Sequence, residues 1–222
     1  LSAEHVLQSS TNPAEAGKID PYLQEIVANA KRCGKIVKNV LHFAQRNDPS
    51  ERWPDDVNLV VRAAAELTRS YAANRGGAIV LDLQESLPQV VLNPLELEQV
   101  VINLIRNGIE AATDSPKIAI RTQLAGTVVR VTVRDNGRGM SDMDRSRVFD
   151  PFYTTRQSEG GTGLGLSLAY GIVSGHGGKI DVDNVPGGGA VAIVELPIAT
   201  NRISASGSVQ RPAASPQAAE GK

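Results

Sequence analysis

Cysteine is nearly absent from this chain. The single Cys33 among 222 residues excludes an internal disulfide and suits a reducing, cytoplasmic compartment. Aromatic residues make up only 4%, so any cluster of them stands out. Neither sign of charge is in excess. Against 24 Asp and Glu stand 23 Lys and Arg, and the formal net charge of -1 gives no support to nucleic-acid binding through bulk electrostatics. No apolar run approaches the length that crosses a bilayer and no signal peptide is visible, so no direct membrane contact is expected within this stretch. What is present is a chain 41% apolar, enough for a sizeable core in one large domain or two smaller ones.

Residues 1–50 read as a helical hairpin. Residues 1–10 suit the end of a helix, and Pro13 and Gly17 break the chain after it. Asp20-Pro21 then gives an N-cap followed by proline at the first helical position. Beyond it Leu23, Ile26, Val27, Ala30, Cys33, Val37, Val40, Leu41 and Ala44 recur at three- and four-residue steps, one apolar stripe that ends near Asn47-Asp48-Pro49. One hairpin buries such a seam poorly, so pairing with a second copy into a four-helix bundle is expected.

Residues 51–199 carry a different pattern. Asn58 to Asn74 and the stretch opened by Asn93-Pro94 are expected to be helical, the second with Leu97, Val100, Val101, Leu104, Ile105 and Ile109 inward. Ala78–Leu83 alternates like a strand, and Val90–Leu92 suits a short one. Lys117–Leu124 and Thr127–Arg134 alternate around Ala125-Gly126, an antiparallel hairpin. Gly165–His176 reads as a helix, and Lys179–Asp183 and Ala190–Leu196 as closing strands. Strands grouped with helices on one side predict an α+β fold, a two-layer α/β sandwich preceded by the hairpin. Residues 200–222, rich in Ser, Ala, Pro and Gln, read as a disordered tail.

Chemistry concentrates in four clusters. In Asn103-Leu104-Ile105-Arg106-Asn107-Gly108-Ile109-Glu110-Ala111 the two asparagines are four apart and share a helix face. Neutral amide oxygens beside a phosphate suit Mg²⁺, though paired asparagines are more often solvated surface. Asp135-Asn136-Gly137-Arg138-Gly139-Met140 is a turn behind an acidic residue at a strand end. Its carboxylate can accept a hydrogen bond from an adenine amino group, or it is an ordinary turn. Phe149-Asp150-Pro151-Phe152-Tyr153-Thr154-Thr155-Arg156 gathers three of the few aromatics, either a core-anchored loop or a lid hinge with Arg156 toward phosphates. Gly160-Gly161-Thr162-Gly163-Leu164-Gly165-Leu166 leads into a helix, where bare N–H groups can cradle phosphates. Its spacing is neither the dinucleotide pattern nor the Walker pattern with its lysine.

In combination and order these clusters resemble the four ATP-binding boxes of sensor histidine kinases, whose fold is shared with gyrase, MutL and the heat-shock chaperone ATPases. The resemblance covers roughly residues 1–198, and Val40-Leu41-His42-Phe43-Ala44-Gln45 is similar to the usual second-helix ending of the dimerisation and phosphotransfer domain. It implies ATP and Mg²⁺ as cofactors, with Asn107 as metal ligand and Asn103 beside the phosphates. Where the gyrase branch has a water-activating glutamate this chain has Asn103, which cannot act as a base and so fits transfer to a protein side chain better than hydrolysis. By the same resemblance Asp135 reads adenine, with Gly137 and Gly139 allowing close approach. Asn103, Asn107 and Arg156 take the catalytic roles. Phe149, Gly161, Thr162, Gly163, Leu164 and Gly165 complete the nucleotide site. The implied partners are a response regulator receiver domain and a second copy of the chain.

The family's phosphoacceptor, a histidine followed by an acidic residue, does not occur here. His5, His42 and His176 all lack that context, and Leu1-Ser2-Ala3 is similar to the residues just after the motif. The expectation is a piece of a longer protein, its acceptor upstream of Leu1 and its remainder free to hold a sensor or membrane segment. Such a piece should not phosphorylate itself. A trans-acting serine kinase of the anti-sigma type and a non-catalytic docking module are the competing readings. At position 190 the family often has threonine, whose hydroxyl supports the adenine-binding carboxylate. Ala190 lacks it, so weaker adenine binding or a substituting water is expected.

Overall fold

The computed structural model describes residues 52–156 and 161–199, and before them only Ile26, Val27, Ala30 and Gly34, all four helical. Most of the expected hairpin, with Cys33, His5 and His42, and the expected tail lie outside the described residues.

The chain enters through β1 (Trp53–Asp55) and α1 (Val57–Ala73). Asp56 caps α1, its carboxylate accepting from the Asn58 N–H at 2.8 Å. Val57, Val60, Val61, Ala64, Ala65 and Ala72 face inward at helical spacing, so the helix exists to bury one stripe. β2 (Ala78–Leu83) and β3 (Val90–Leu92) follow, then α2 (Pro94–Ala111). Asn93 caps α2 through Leu95 N (3.0 Å) and Glu96 N (3.3 Å), and Pro94 occupies the first turn, where no N–H is needed. β4 (Lys117–Ala125) and β5 (Val128–Arg134) form the expected hairpin. A short α3 (Asp142–Arg147), α4 (Gly165–Gly175), β6 (Lys179–Asn184) and β7 (Ala190–Pro197) complete the domain.

Five strands make one sheet in the order β2-β4-β5-β7-β6, antiparallel except for the parallel pair β2 and β4. The parallel pair arises because the chain leaves β2, runs through β3 and the whole of α2, and returns alongside. β1 and β3 pair separately. Helices α1, α2 and α4 pack on one another and on one face of the sheet. That face is built by strict alternation: Ile118 and Ile120 on β4, Val129, Val131 and Val133 on β5, Ile180 and Val182 on β6, Val194 and Leu196 on β7. The other face is solvated and carries the cross-strand pair Arg130–Glu195, closest N···O 2.6 Å.

Leu97, Val100, Val101, Leu104, Ile105 and Ile109 of α2 form the centre of the core and are nearly inaccessible. Truncating one of them, Ile105→Ala, costs about 2–5 kcal/mol, the transfer term plus a cavity. Packing so tight fixes α2 in rotation about its axis. Its opposite stripe, Gln99, Asn103, Arg106, Asn107 and Glu110, is thereby held along the wall of a cleft.

Candidate functional site

The cleft has a volume of about 780 Å³ and lies between α2, the start of α4 and the ends of β5 and β7. Asn103, Asn107, Asp135, Gly139, Arg156, Gly161, Thr162, Gly163 and Gly165, all predicted from sequence, line it.

Asp135 follows directly on β5, and its Oδ1 accepts two backbone hydrogen bonds, from Gly137 N at 2.8 Å and Ala190 N at 3.0 Å. The first is a tight Asx turn and the second ties the turn to β7. Gly189 permits that approach, since a Cβ there would lie 2.1 Å from the Asp135 carbonyl oxygen. Burial raises the Asp135 carboxyl above its ordinary range, and the two N–H groups and Arg134 only partly oppose this. A half-buried carboxylate with one oxygen clamped and its charge under-solvated is ready to accept an N–H from a ligand. At position 190 the contact to Oδ1 comes from the backbone N–H, and the alanine adds no hydroxyl beside it.

At the other end of the cleft Asn103 links the two helices. Its Nδ2 donates to the Gly165 carbonyl at 3.2 Å, and its Oδ1 accepts from Gln99 at 3.1 Å. Helix α4 starts here at Leu164 with no side-chain cap, so its first N–H groups face the cleft without a protein side chain to satisfy them. Gly165 itself has ordinary backbone angles. A Cβ there would meet nothing nearer than Asn103 Cγ at 3.8 Å and Asn107 Nδ2 at 4.0 Å. Neither backbone strain nor protein crowding calls for glycine at this point. Its missing side chain keeps open the space between the helix start and the two asparagines. Gly163 is glycine for another reason, a φ of +66° and a Cβ position 2.3 Å from Phe152 C.

Residues 92–200 match the family model described as histidine kinase-, DNA gyrase B-, and HSP90-like ATPase. The chain is 37% identical over 173 residues to the C4-dicarboxylate transport sensor protein DctB of Rhizobium meliloti (strain 1021), covering 77% of this chain and 27% of that one. The catalytic domain of histidine kinase ThkA, solved nucleotide-free, superposes with a TM-score of 0.61 at 31% identity, covering 66% of this chain and 95% of that domain. The chain belongs to the sensor histidine kinases. Full-length ShkA in complex with AMPPNP is similar at 26% identity and a TM-score of 0.68, over 82% of this chain and 39% of that one. The chain spans about a quarter of the length of curated relatives such as DctB.

Within the kinase domain some predicted residues stand beside the cleft rather than in it. Gly137 supports Asp135 from below and abuts Ala111. Phe149 does not line the cleft. Its ring lies 5.5 Å from that of Tyr170 and packs against the core. Leu164 is buried at the head of α4. Phe149 therefore anchors the chain that leads to Arg156, whereas Phe152 is exposed and Tyr153 to Arg156 line the cleft.

Sequence reading missed a charged cluster on the same wall. Arg156 donates from Nη1 to Glu110 Oε2 and from Nη2 to Asn107 Oδ1 at 3.4 Å. Glu110 Oε1 also accepts from Tyr71 OH at 3.1 Å and from Arg106 Nη2 at 3.4 Å. Arg75 and Arg106 lie over the Tyr71 ring at 5.1 and 5.3 Å. The i to i+4 spacing of Arg106 and Glu110 was readable, but Tyr71, Arg75 and Arg156 come from distant segments. Three guanidiniums against one carboxylate leave an excess of positive charge along this wall of the cleft.

Among the described residues no group of three or more His, Cys, Asp or Glu can hold a metal by itself. The oxygens on offer are chiefly amides, with Asn107 Oδ1 engaged only by a long bond. Such a site fits Mg²⁺ that arrives already bound to phosphates and waters. No helix among the described residues is long and apolar enough to cross a membrane.

Proposed function

We propose that the chain binds Mg-ATP in this cleft and supplies its γ-phosphate to a histidine of a dimerisation hairpin, for onward transfer to an aspartate of a response regulator. The carrying observation is the Asp135 carboxylate, clamped through one oxygen by Gly137 and Ala190 and lining a cleft whose other end is cationic. Asp135 accepts the adenine amino group, and the tight turn below it fits a planar base. The first N–H groups of α4, Asn103 and Arg156 hold the phosphates. Asn107 would hold a metal through Oδ1, and charge on the phosphates would be neutralised there. Catalysis is then positioning and electrostatics, with no base required of Asn103. The AMPPNP complex of ShkA supports a triphosphate occupant.

His176 is unsuited as the acceptor. Its Nε2 accepts from Asn93 N at 3.1 Å and its Nδ1 donates to the Ile172 carbonyl at 2.8 Å, so both ring nitrogens are engaged in a buried setting. The acceptor belongs on a dimerisation hairpin of the kind proposed for residues 1–50. There the exposed Val27 and helical Ile26 and Ala30 support pairing with a second copy.

The test is phosphoryl transfer. With ATP labelled at the γ-phosphate, the chain alone should acquire no label. A hairpin carrying a histidine acceptor, supplied in trans, should acquire acid-labile phosphate, and a receiver domain should then remove it. Acid-stable label on the partner would point to the serine-kinase reading and overturn this one.

A further inference from the structure

The contacts of Arg156 carry a reading beyond nucleotide binding. The guanidinium is largely withdrawn from solvent, its side chain 20% exposed and that of Glu110 23%. On the nucleotide reading Asn107 and the guanidinium itself both have other partners. Asn107 Oδ1 is the oxygen a metal would use, and here a guanidinium N–H points at it. Glu110 Oε2 occupies the guanidinium that a γ-phosphate would use. The protein thus sets a cation of its own against the oxygen a metal would use, and an anion of its own against the guanidinium a phosphate would use. Glu110 is kept there by Tyr71 and Arg106, which bond its other oxygen.

We infer that Glu110 is a positioning residue acting through Arg156: it holds the guanidinium on α2 and yields it to the γ-phosphate when Mg-ATP enters. The inference rests on the nucleotide reading above. A ligand bringing a metal for Asn107 together with an anion for Arg156 exchanges the internal pair for new partners, whereas one bringing neither leaves the pair intact. Glu110 therefore holds Mg-ATP affinity below what the cleft would otherwise give.

Calorimetric titration of Mg-ATP into the whole chain tests this with Glu110→Gln, Arg156→Gln and the double variant. Removing the competitor should tighten Mg-ATP binding about fivefold, the scale of a partly exposed ion pair. Arg156→Gln should weaken binding, and Glu110→Gln added to it should have no further effect. A purely structural role for Glu110 would weaken binding instead. Weaker or unchanged affinity in Glu110→Gln overturns the inference. An equal gain in the Arg156→Gln background also overturns it, by showing simple repulsion between Glu110 and phosphate. Should Glu110→Gln not fold, Tyr71→Phe, which loosens Glu110 alone, should tighten binding in the same direction, and a loss or no change contradicts the inference. Absence of Mg-ATP binding to the unsubstituted chain overturns the nucleotide reading and this inference together. Binding without coupling between the two residues overturns this inference alone.

Discussion

Gly165→Ala separates what the fold needs from what the ligand needs. Glycine at the first position of α4 is not required by φ, and the added methyl would sit 3.8 Å from Asn103 Cγ, an ordinary van der Waals contact. Alanine also restricts the unfolded chain, which stabilises a compatible site by about 0.4–1 kcal/mol. For a domain of this size that raises the melting temperature by about 1–4 °C. The same methyl stands in the space between the helix start, Asn103 and Asn107. A phosphate held by charge-assisted N–H bonds there would lose about 1.5–3 kcal/mol if one bond were prevented, so Mg-ATP affinity should fall at least about tenfold. Differential scanning fluorimetry and calorimetry on one preparation read both quantities. Stability and binding should move in opposite directions. A destabilised variant, or one that binds Mg-ATP as the unsubstituted chain does, would refute the reasoning. Gly163→Ala is the control: its φ of +66° and the 2.3 Å approach to Phe152 C make it lose stability as well.

Further outcomes follow from the buried polar groups. Burial raises the Asp135 carboxyl, so its neutral form favours folding; that contribution is fully present below the ordinary 3.8 and is lost as pH rises through the folded value. Asp135→Asn should therefore melt at or above the unsubstituted domain at neutral pH, the difference closing in acid, and a lower melting temperature at pH 7 would contradict this. Burial lowers the His176 pKa, so stability should decline as pH falls below 6.5, where the unfolded chain takes up the proton first. Nitrogen-detected NMR at pH 6 should show neutral His176 with the proton on Nδ1; an imidazolium would refute it. Thr122 Oγ1 donates to buried Asn58 Oδ1 at 2.7 Å, and Asn58 Nδ2 donates to the Gln84 carbonyl at 2.9 Å. Thr122→Val should cost about 1–2 kcal/mol in denaturant unfolding while leaving nucleotide affinity unchanged.

Much of the fold was legible because its signals are local. Alternation located β2, β4, β5, β6 and β7, and Asn93-Pro94 located the start of α2. The four-residue step from Asn103 to Asn107 was legible for the same reason: once the apolar stripe of α2 is buried, both amides must face away from the core. β1 was missed, being three residues long with Pro54 at its centre. α3 was missed because its six residues have no apolar stripe, although Ser141 and Asp144 form a capping box that sequence could have shown. The β2–β4 parallel pairing depends on a crossover through α2 and leaves no local trace. The support that Ala190 gives Asp135 comes from a backbone N–H, which every residue but proline carries, so no side chain announced it. The placement of Phe149 followed the family's box as a unit, whereas the structure divides that box between an anchor in the core and a cation in the cleft.

The central claim is that Asp135 reads adenine in a Mg-ATP site. Calorimetric titration of Mg-ATP into the unsubstituted chain and Asp135→Asn, with melting confirming that both are folded, tests it most directly. Saturable one-to-one binding is expected in the first, in the micromolar range or weaker, and none detectable in the second. Equal affinity in the two would contradict it.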